Sequence, residues 1–265
     1  MNCMSESVIH KVFDAHVHVG YFPRKDGKGG ETYYWSPARL MQYMQWAGVE
    51  EFIFSSTNAS WDEHGETMHR ETAEVLRLAQ ANGVKAHPFF WCSGDYLEWD
   101  SNLSKLPSFY EGLKLHGAET RWLERKADLC RILSIAEERH LPVQIHTGND
   151  NLDACARYLP YCKKFPKVNF DLAHGHPLEE AGLALQECGN VWIDTSFMEI
   201  DEVKILWKLA PERIMYGSDF PAPLRFWDIS ATNYMRMRQR IMRKIGGEAM
   251  MKKNASAFLA SVRNI

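Results

Sequence analysis

Short apolar runs and longer segments with helical spacing of apolar residues alternate along the chain. The first run covers residues 12–20, where valines and a phenylalanine favour a strand and Gly20 ends it. Seven later runs have the same character, and each stops at a polar residue, a glycine or a proline. They predict strands over residues 51–57, 84–92, 109–116, 141–146, 168–174, 191–196 and 213–219.

The segments between these runs predict helices. Ser36 and Pro37 suit the N-cap and first turn of the first helix, and Gly48 ends it. Residues 93–108 are only weakly helical, and residues 21–35, rich in glycine, lysine and aromatics, predict a loop on the surface or at an active site. The helices are expected over residues 36–47, 66–81, 125–139, 152–165, 177–188, 201–209, 226–245 and 248–262.

Eight strands that alternate with helices over 265 residues predict a (β/α)₈ TIM barrel, with residues 1–265 as one domain. The structural alternative is an open, doubly wound sheet. The absence of a G-x-G-x-x-G segment after the first strand weakens that alternative.

Composition narrows the classes of protein. The formal net charge of -3 gives no attraction to nucleic acid or to an anionic membrane. No apolar run reaches the length of a membrane span, and residues 1–11 are polar. The 6 cysteines are scattered without a C-x-x-C pair, as expected for reduced thiols. These features predict a cytoplasmic protein.

The candidate chemistry lies where the predicted strands end. Strand alternation places Asp14, His16 and His18 on one face of the first strand. The opposite face is expected to carry Phe13, Ala15 and Val17. Four other strands end in the polar residues Lys114 with His116, His146, His174 and Asp219. The carboxyl ends of barrel strands share one rim, and imidazole and carboxylate groups there can bind a divalent metal.

In this order, the strand ends resemble the amidohydrolase superfamily, and more closely its amidohydrolase-2 branch. That branch includes metal-dependent hydrolases, lactonases and non-oxidative decarboxylases. The resemblance runs from Asp14 to about Leu259. It rests on the segments Asp14-Ala-His16-Val-His18, Gly112-Leu-Lys114-Leu-His116, Pro142-Val-Gln-Ile-His146-Thr-Gly148, Ala173-His174-Gly175, Asp194-Thr-Ser196 and Tyr216-Gly-Ser-Asp219-Phe-Pro221.

The resemblance implies a role for each position. It assigns His16, His18, His146 and Asp219 as ligands of one divalent ion, zinc first, with manganese or iron as alternatives. His174 is implied to act on water or substrate, with Asp219 as a second catalytic group. A divalent ion with an open position lowers the pKa of its bound water to about 7, which gives hydroxide near neutral pH.

Three further residues are candidates for substrate binding. Some relatives carbamylate a lysine on the fourth strand, but Lys114-Leu-His116 is the pattern typical of the mononuclear branch. We therefore expect Lys114 as a cation at the barrel mouth that holds a substrate carboxylate, and His116 at the rim. The alternative for both is a polar residue near the barrel top whose hydrogen bonds are satisfied within the protein. His176 stands where relatives often have glycine, so the segment His174-Gly-His176 leaves open which of its two histidines is functional. The position in the family pattern favours His174.

These observations favour a metal-dependent hydrolase of a small lactone, amide or ester. A decarboxylase of an aromatic or unsaturated carboxylate is the first alternative. A TatD-type deoxyribonuclease is weaker, because Glu111 is out of register with the glutamate ligand of that group. A non-enzymatic binding barrel is the last alternative. The expected partners are a small-molecule substrate, with a carboxylate as one candidate, and a second copy of the chain in a homodimer, without nucleic acid or membrane.

Overall fold

The computed structural model describes residues 11–23, 32–60, 65–93, 106–117, 121–225 and 230–260. Within these residues, nine strands form one sheet in the order β2-β1-β3-β4-β5-β6-β7-β8-β9. The strands are β1 (Val12–Pro23), β2 (Thr32–Trp35), β3 (Val49–Ser56), β4 (Lys85–Trp91), β5 (Gly112–His116), β6 (Val143–His146), β7 (Phe170–Ala173), β8 (Val191–Asp194) and β9 (Ile214–Met215).

Helices follow most of these strands along the chain. In the described residues they are α1 (Pro37–Trp46), α2 (Glu66–Ala81), α3 (Lys126–Glu138), α4 (Cys155–Lys164), α5 (Leu178–Glu187), α6 (Ile200–Leu209), α7 (Ala231–Glu248) and α8 (Asn254–Ala260). A π-helical turn, Ala249–Lys253, joins the last two. No helix within these residues is both long enough and apolar enough to cross a membrane.

The sheet curls until its two ends meet. The segment after β9 runs beside β1, where the backbone N–H of Ala15 donates to Tyr216 O at 2.8 Å. The N–H of Asp219 donates to His16 O, also at 2.8 Å. All strands except β2, which is antiparallel to β1, are parallel to their neighbours. The predicted TIM-barrel fold is confirmed.

Three predicted elements differ from the structure. Gly20–Pro23 pairs with Thr32–Trp35 as a two-stranded extension, so part of the predicted loop over 21–35 is strand. The Tyr21 and Tyr34 rings lie 4.7 Å apart on this hairpin and stabilise it. Residues 24–31 and 94–105, with most of the weakly helical segment, lie outside the described residues, and 106–111 are not helical. Helix α7 begins after its N-cap Ser230, and residues 226–229 of the predicted helix lie outside the described residues.

The strict alternation predicted for β1 is wrong. Its register against β3 shifts between Asp14 and Val17. As a result, Phe13 and Ala15 lie in an inner apolar cluster with residues of other strands and α8, whereas Val17 belongs to the layer between strands and helices. Such a bulge re-aims side chains and is frequent beside active sites. Here it turns both histidines of β1 inward.

His87 is held as a cation at the amino end of the barrel. Its Nδ1 lies 2.8 Å from Glu111 Oε2, and its Nε2 lies 2.8 Å from Glu51 Oε1. Each ring nitrogen needs a proton to donate, so the ring is an imidazolium. Burial opposes this charge, but the hydrogen bonds to Glu111 and Glu51 outweigh it and raise the pKa of His87.

We expect His87→Phe to lower the free energy of unfolding by about 1–3 kcal/mol, because it removes the two charge-assisted hydrogen bonds that His87 makes to Glu51 and Glu111. A raised folded-state pKa contributes stability that is full below the unfolded value of about 6.5 and is lost as the pH rises through the folded value. The loss should therefore be larger at about pH 6 than at about pH 9.5 in urea denaturation. An equal loss at both pH values would refute the imidazolium assignment.

Candidate metal centre and active site

Three side chains converge at the carboxyl end of the barrel and form what we call the His–His–Asp cluster: His16 and His18 of β1, and Asp219 after β9. The two Nε2 atoms lie 3.1 Å apart. Asp219 Oδ1 lies 3.4 Å from Nε2 of His16 and 3.0 Å from Nε2 of His18. All three residues are buried. The strand ends that the sequence placed at one rim are therefore in contact.

Neighbouring groups fix both imidazole rings. His16 Nδ1 lies 2.9 Å from Asp194 Oδ2, and His18 Nδ1 lies 2.9 Å from Ser55 Oγ. Asp194 in turn accepts hydrogen bonds from the backbone N–H and the hydroxyl of Ser196. Burial opposes ionisation of Asp194, but the adjacent His16 holds its pKa well below the usual range. A proton on each Nδ1 leaves both Nε2 atoms as electron-pair donors.

The cluster fits a divalent cation. Asp219 Oδ1 is buried and faces the Nε2 atoms of both histidines. Burial opposes its charge, but His16 and His18 keep the pKa of Asp219 well below the usual range. Burial and the nearby Lys114 lower the pKa of His16 to about 4, so its ring is neutral near neutral pH. Two neutral nitrogens and one carboxylate oxygen form a donor set typical of zinc and related metals.

Backbone strain marks two residues of this site. His174 has φ 72° and Asp219 has φ 50°, both in the left-handed region that residues other than glycine rarely adopt. The Gly-Ser-Asp turn also needs its glycine, because a Cβ on Gly217 would lie 2.8 Å from Asp194 Oδ1. Such strain concentrates at functional sites, where the surrounding structure enforces it.

His174 lies beside the cluster. Its ring centroid is 5.2 Å from that of His16, and its Nδ1 lies 2.8 Å from Ser196 Oγ. Burial lowers the pKa of His174, although the charges of Asp219 and Asp194 oppose that effect. A neutral, oriented imidazole at this position can accept a proton from a water or substrate bound at the cluster.

The structure places His146 next to His174. His146 Nδ1 lies 3.0 Å from His174 Nε2, and its Nε2 lies 3.5 Å from Asp153 Oδ2. Among the described residues, His146 is not part of the His–His–Asp cluster. The structure thus brings together three of the four ligands that the resemblance implies.

Lys114 lies deeper than expected for a cation at the barrel mouth. Its side chain is 1% exposed, and its Nζ lies 2.9 Å from His16 Nε2. The same ammonium donates to Gln144 Oε1 at 3.1 Å. The mid-strand position of Lys114 on β5 directs its stem into the barrel interior, under the cluster.

The two other candidates for substrate binding lie nearer the rim. The partly exposed His116 stacks on His146 with ring centroids 3.9 Å apart, and on Trp91 at 5.9 Å. Burial and the charge of Lys114 lower the pKa of His116 to about 3, so its ring is neutral. His176 is partly exposed, and its backbone N–H donates to Thr147 Oγ1 at 3.1 Å.

Sequence reasoning assigned no role to several polar residues that support the site. Asp194 ends β8 as the other polar residues end their strands, and that position was a usable signal. Gln144 lies two positions before His146 on β6, so strand alternation places both on one face, whereas Asp171 on β7 lies three positions before His174 and had no such signal. The supporting residues are Ser55, Gln144, Asp153, Asp171, Asp194 and Ser196.

Comparison with known proteins gives a family and a fold. Residues 13–249 match a family model described as Amidohydrolase. No curated protein sequence matches the chain. The chain is similar to a probable 2-pyrone-4,6-dicarboxylic acid hydrolase from Acinetobacter baumannii, with citric acid bound, at 11% identity and a TM-score of 0.67, covering 94% of this chain and 99% of that one.

Two further solved structures are similar. One is 5-carboxyvanillate decarboxylase LigW from Sphingomonas paucimobilis, at 12% identity and a TM-score of 0.65, with 94% and 99% of the two chains covered. The other is a zinc-bound amidohydrolase from Burkholderia multivorans, at 16% identity and a TM-score of 0.64, with 95% and 99% covered. At these identities the likeness establishes the fold.

Proposed function

The chain belongs to the amidohydrolase family, whose members are metal-dependent hydrolases or decarboxylases, and on that premise we propose that it hydrolyses a small lactone, amide or ester. The observation that carries this proposal is the convergence of His16 Nε2, His18 Nε2 and Asp219 Oδ1 within 3.0–3.4 Å. These three residues would hold one divalent ion, with zinc proposed first and manganese or iron as alternatives. Such an ion supplies an activated water near neutral pH.

The remaining steps belong to the side chains of this protein. His174 accepts the proton of the attacking water and returns it to the leaving group, because its neutral ring lies beside the cluster. Asp219 is the second proposed catalytic group, since its carboxylate oxygen points into the same space. His146 is proposed as the fourth ligand, with its Nδ1 3.0 Å from His174 Nε2.

A planar substrate that carries a carboxylate fits the rim best. The Trp91, His116 and His146 rings form a parallel stack there, with interplanar angles of 15° and 9°. Two of the similar structures are named for flat-ring carboxylates, one as a hydrolase and one as a decarboxylase. This stack equally supports the second candidate function, decarboxylation of an aromatic carboxylate. Lys114, His116 and His176 are proposed to contact the substrate.

We expect chelator-treated protein to lose hydrolysis and one equivalent of zinc to restore it, since nucleophile activation depends on the ion. The test is a panel of lactones, esters, amides and aromatic carboxylates, scored separately for acid production and for CO₂ release. CO₂ release without hydrolysis would select the decarboxylase. Equal rates with and without metal would refute metal dependence, and cleavage of single-stranded DNA alone would select the nuclease.

A further inference from the structure

Lys114 brings a cation into the His–His–Asp cluster. We propose that its ammonium competes with the metal for His16, so that the metal binds only when Lys114 Nζ leaves His16 Nε2. The inference rests on the metal site of the proposed function. It adds that a lysine inside the barrel controls how readily a metal occupies that site. Three features of the described residues carry it: the shared electron pair, the buried charges and a second acceptor for the lysine.

The shared electron pair is on His16. Its Nδ1 faces Asp194 Oδ2 at 2.9 Å, which leaves a single electron pair on the ring, at Nε2. Lys114 Nζ lies 2.9 Å from that atom, where an ammonium donates a hydrogen bond. A metal ligated by His16 needs the same electron pair, so the two cations exclude each other at this atom.

The buried charges explain why a cation is needed in either state. The carboxylates of Asp194 and Asp219 both lie buried inside the barrel, together with Lys114. Anions buried together are strongly unfavourable unless positive charge is close. Lys114 supplies that charge to the metal-free protein, and a divalent ion supplies it when bound.

Gln144 is the second hydrogen-bond acceptor for Lys114. Its Nε2 donates to Ala15 O at 3.0 Å and to Asp171 Oδ2 at 2.8 Å, so the carboxamide is fixed. Its Oε1 therefore points at Lys114 Nζ, 3.1 Å away. The flexible lysine stem lets the ammonium give up His16 while it keeps this hydrogen bond.

The test is zinc binding by the chelator-treated full chain, measured by isothermal titration calorimetry and by thermal unfolding. We expect Lys114→Met to bind zinc about 10- to 100-fold more tightly than the wild type, the factor that a hydrogen bond to a charged group represents. The metal-free variant should unfold at a lower temperature, and zinc should raise its Tm by more than it raises that of the wild type. Lys85→Met is the matched control, because Lys85 lies at the opposite end of the barrel, where its Nζ donates to Glu51 Oε1.

The outcomes separate this inference from the proposed function. Zinc binding by wild type and Lys114→Met with equal affinity, or weaker binding by the variant, overturns the competition alone. Binding by the variant but not by the wild type supports the competition and overturns metal dependence of the natural protein. Binding by neither overturns both. Lys114→Gln, which keeps a polar side chain, replaces Lys114→Met if the latter does not fold.

Discussion

Replacing Asp219 with alanine will release the bound metal and lower kcat/KM by about 10³-fold or more, the scale of a metal contribution of several kcal/mol to the barrier. Asp219 supplies the negative charge of the His–His–Asp cluster, and its buried Oδ1 lies 3.0 Å from His18 Nε2 and 3.4 Å from His16 Nε2, where the three atoms can share one ion. The measurements are elemental analysis of the purified variant and its rate on the substrate found in the panel. The circular dichroism spectrum should match that of the wild type.

Two matched variants make this expectation specific. Asp153→Asn changes another buried carboxylate at the same end of the barrel, outside the cluster, and should keep its metal. His146→Asn separates the geometry from the family resemblance. Retained metal supports three ligands, and lost metal supports the fourth ligand that the resemblance implies. Equal metal content in wild type and Asp219→Ala would sink the cluster as the binding site.

The strands were predictable because each is a short apolar run with a clear stop. What failed depends on contacts between distant parts of the chain. The bulge in β1 arises where the backbone N–H groups of Ala15 and His18 donate to the carbonyl oxygens of Tyr216 and Phe220, on the segment after β9. No local sequence pattern encodes that pairing. The same holds for β2, whose pairing with the end of β1 depends on the return of a loop rich in glycine.

The site divides in the same way. His16, His18 and Asp219 could be placed together because the ends of barrel strands share one rim. The contacts of Lys114 and His146 could not, because they depend on side-chain reach across the barrel. A lysine stem can point up to the mouth or down into the interior, and the acceptors His16 and Gln144 decide which. Free thiols in the five described cysteines agree with the prediction of reduced cysteines.

His174→Asn is expected to keep the metal and lower kcat by about 10²–10⁴-fold, the range for loss of one acid–base group. The side chain lies outside the His–His–Asp cluster but beside it, with Nδ1 2.8 Å from Ser196 Oγ and Nε2 3.0 Å from His146 Nδ1. Asparagine keeps a hydrogen-bonding side chain but cannot carry a proton between water and leaving group. Because substrate binding is left to other residues, KM should change far less than kcat.

His176→Asn is the matched control for this variant. It lies two residues away, is partly exposed, and holds its place through backbone hydrogen bonds to Thr147 and Cys155. We expect its kcat to stay within about threefold of the wild type while its KM rises, because a residue that only contacts the substrate contributes to binding and not to proton transfer. Release of metal from His174→Asn would make His174 a ligand instead of a base. If His174→Asn keeps the full rate while His176→Asn abolishes activity, His176 and not His174 transfers the proton.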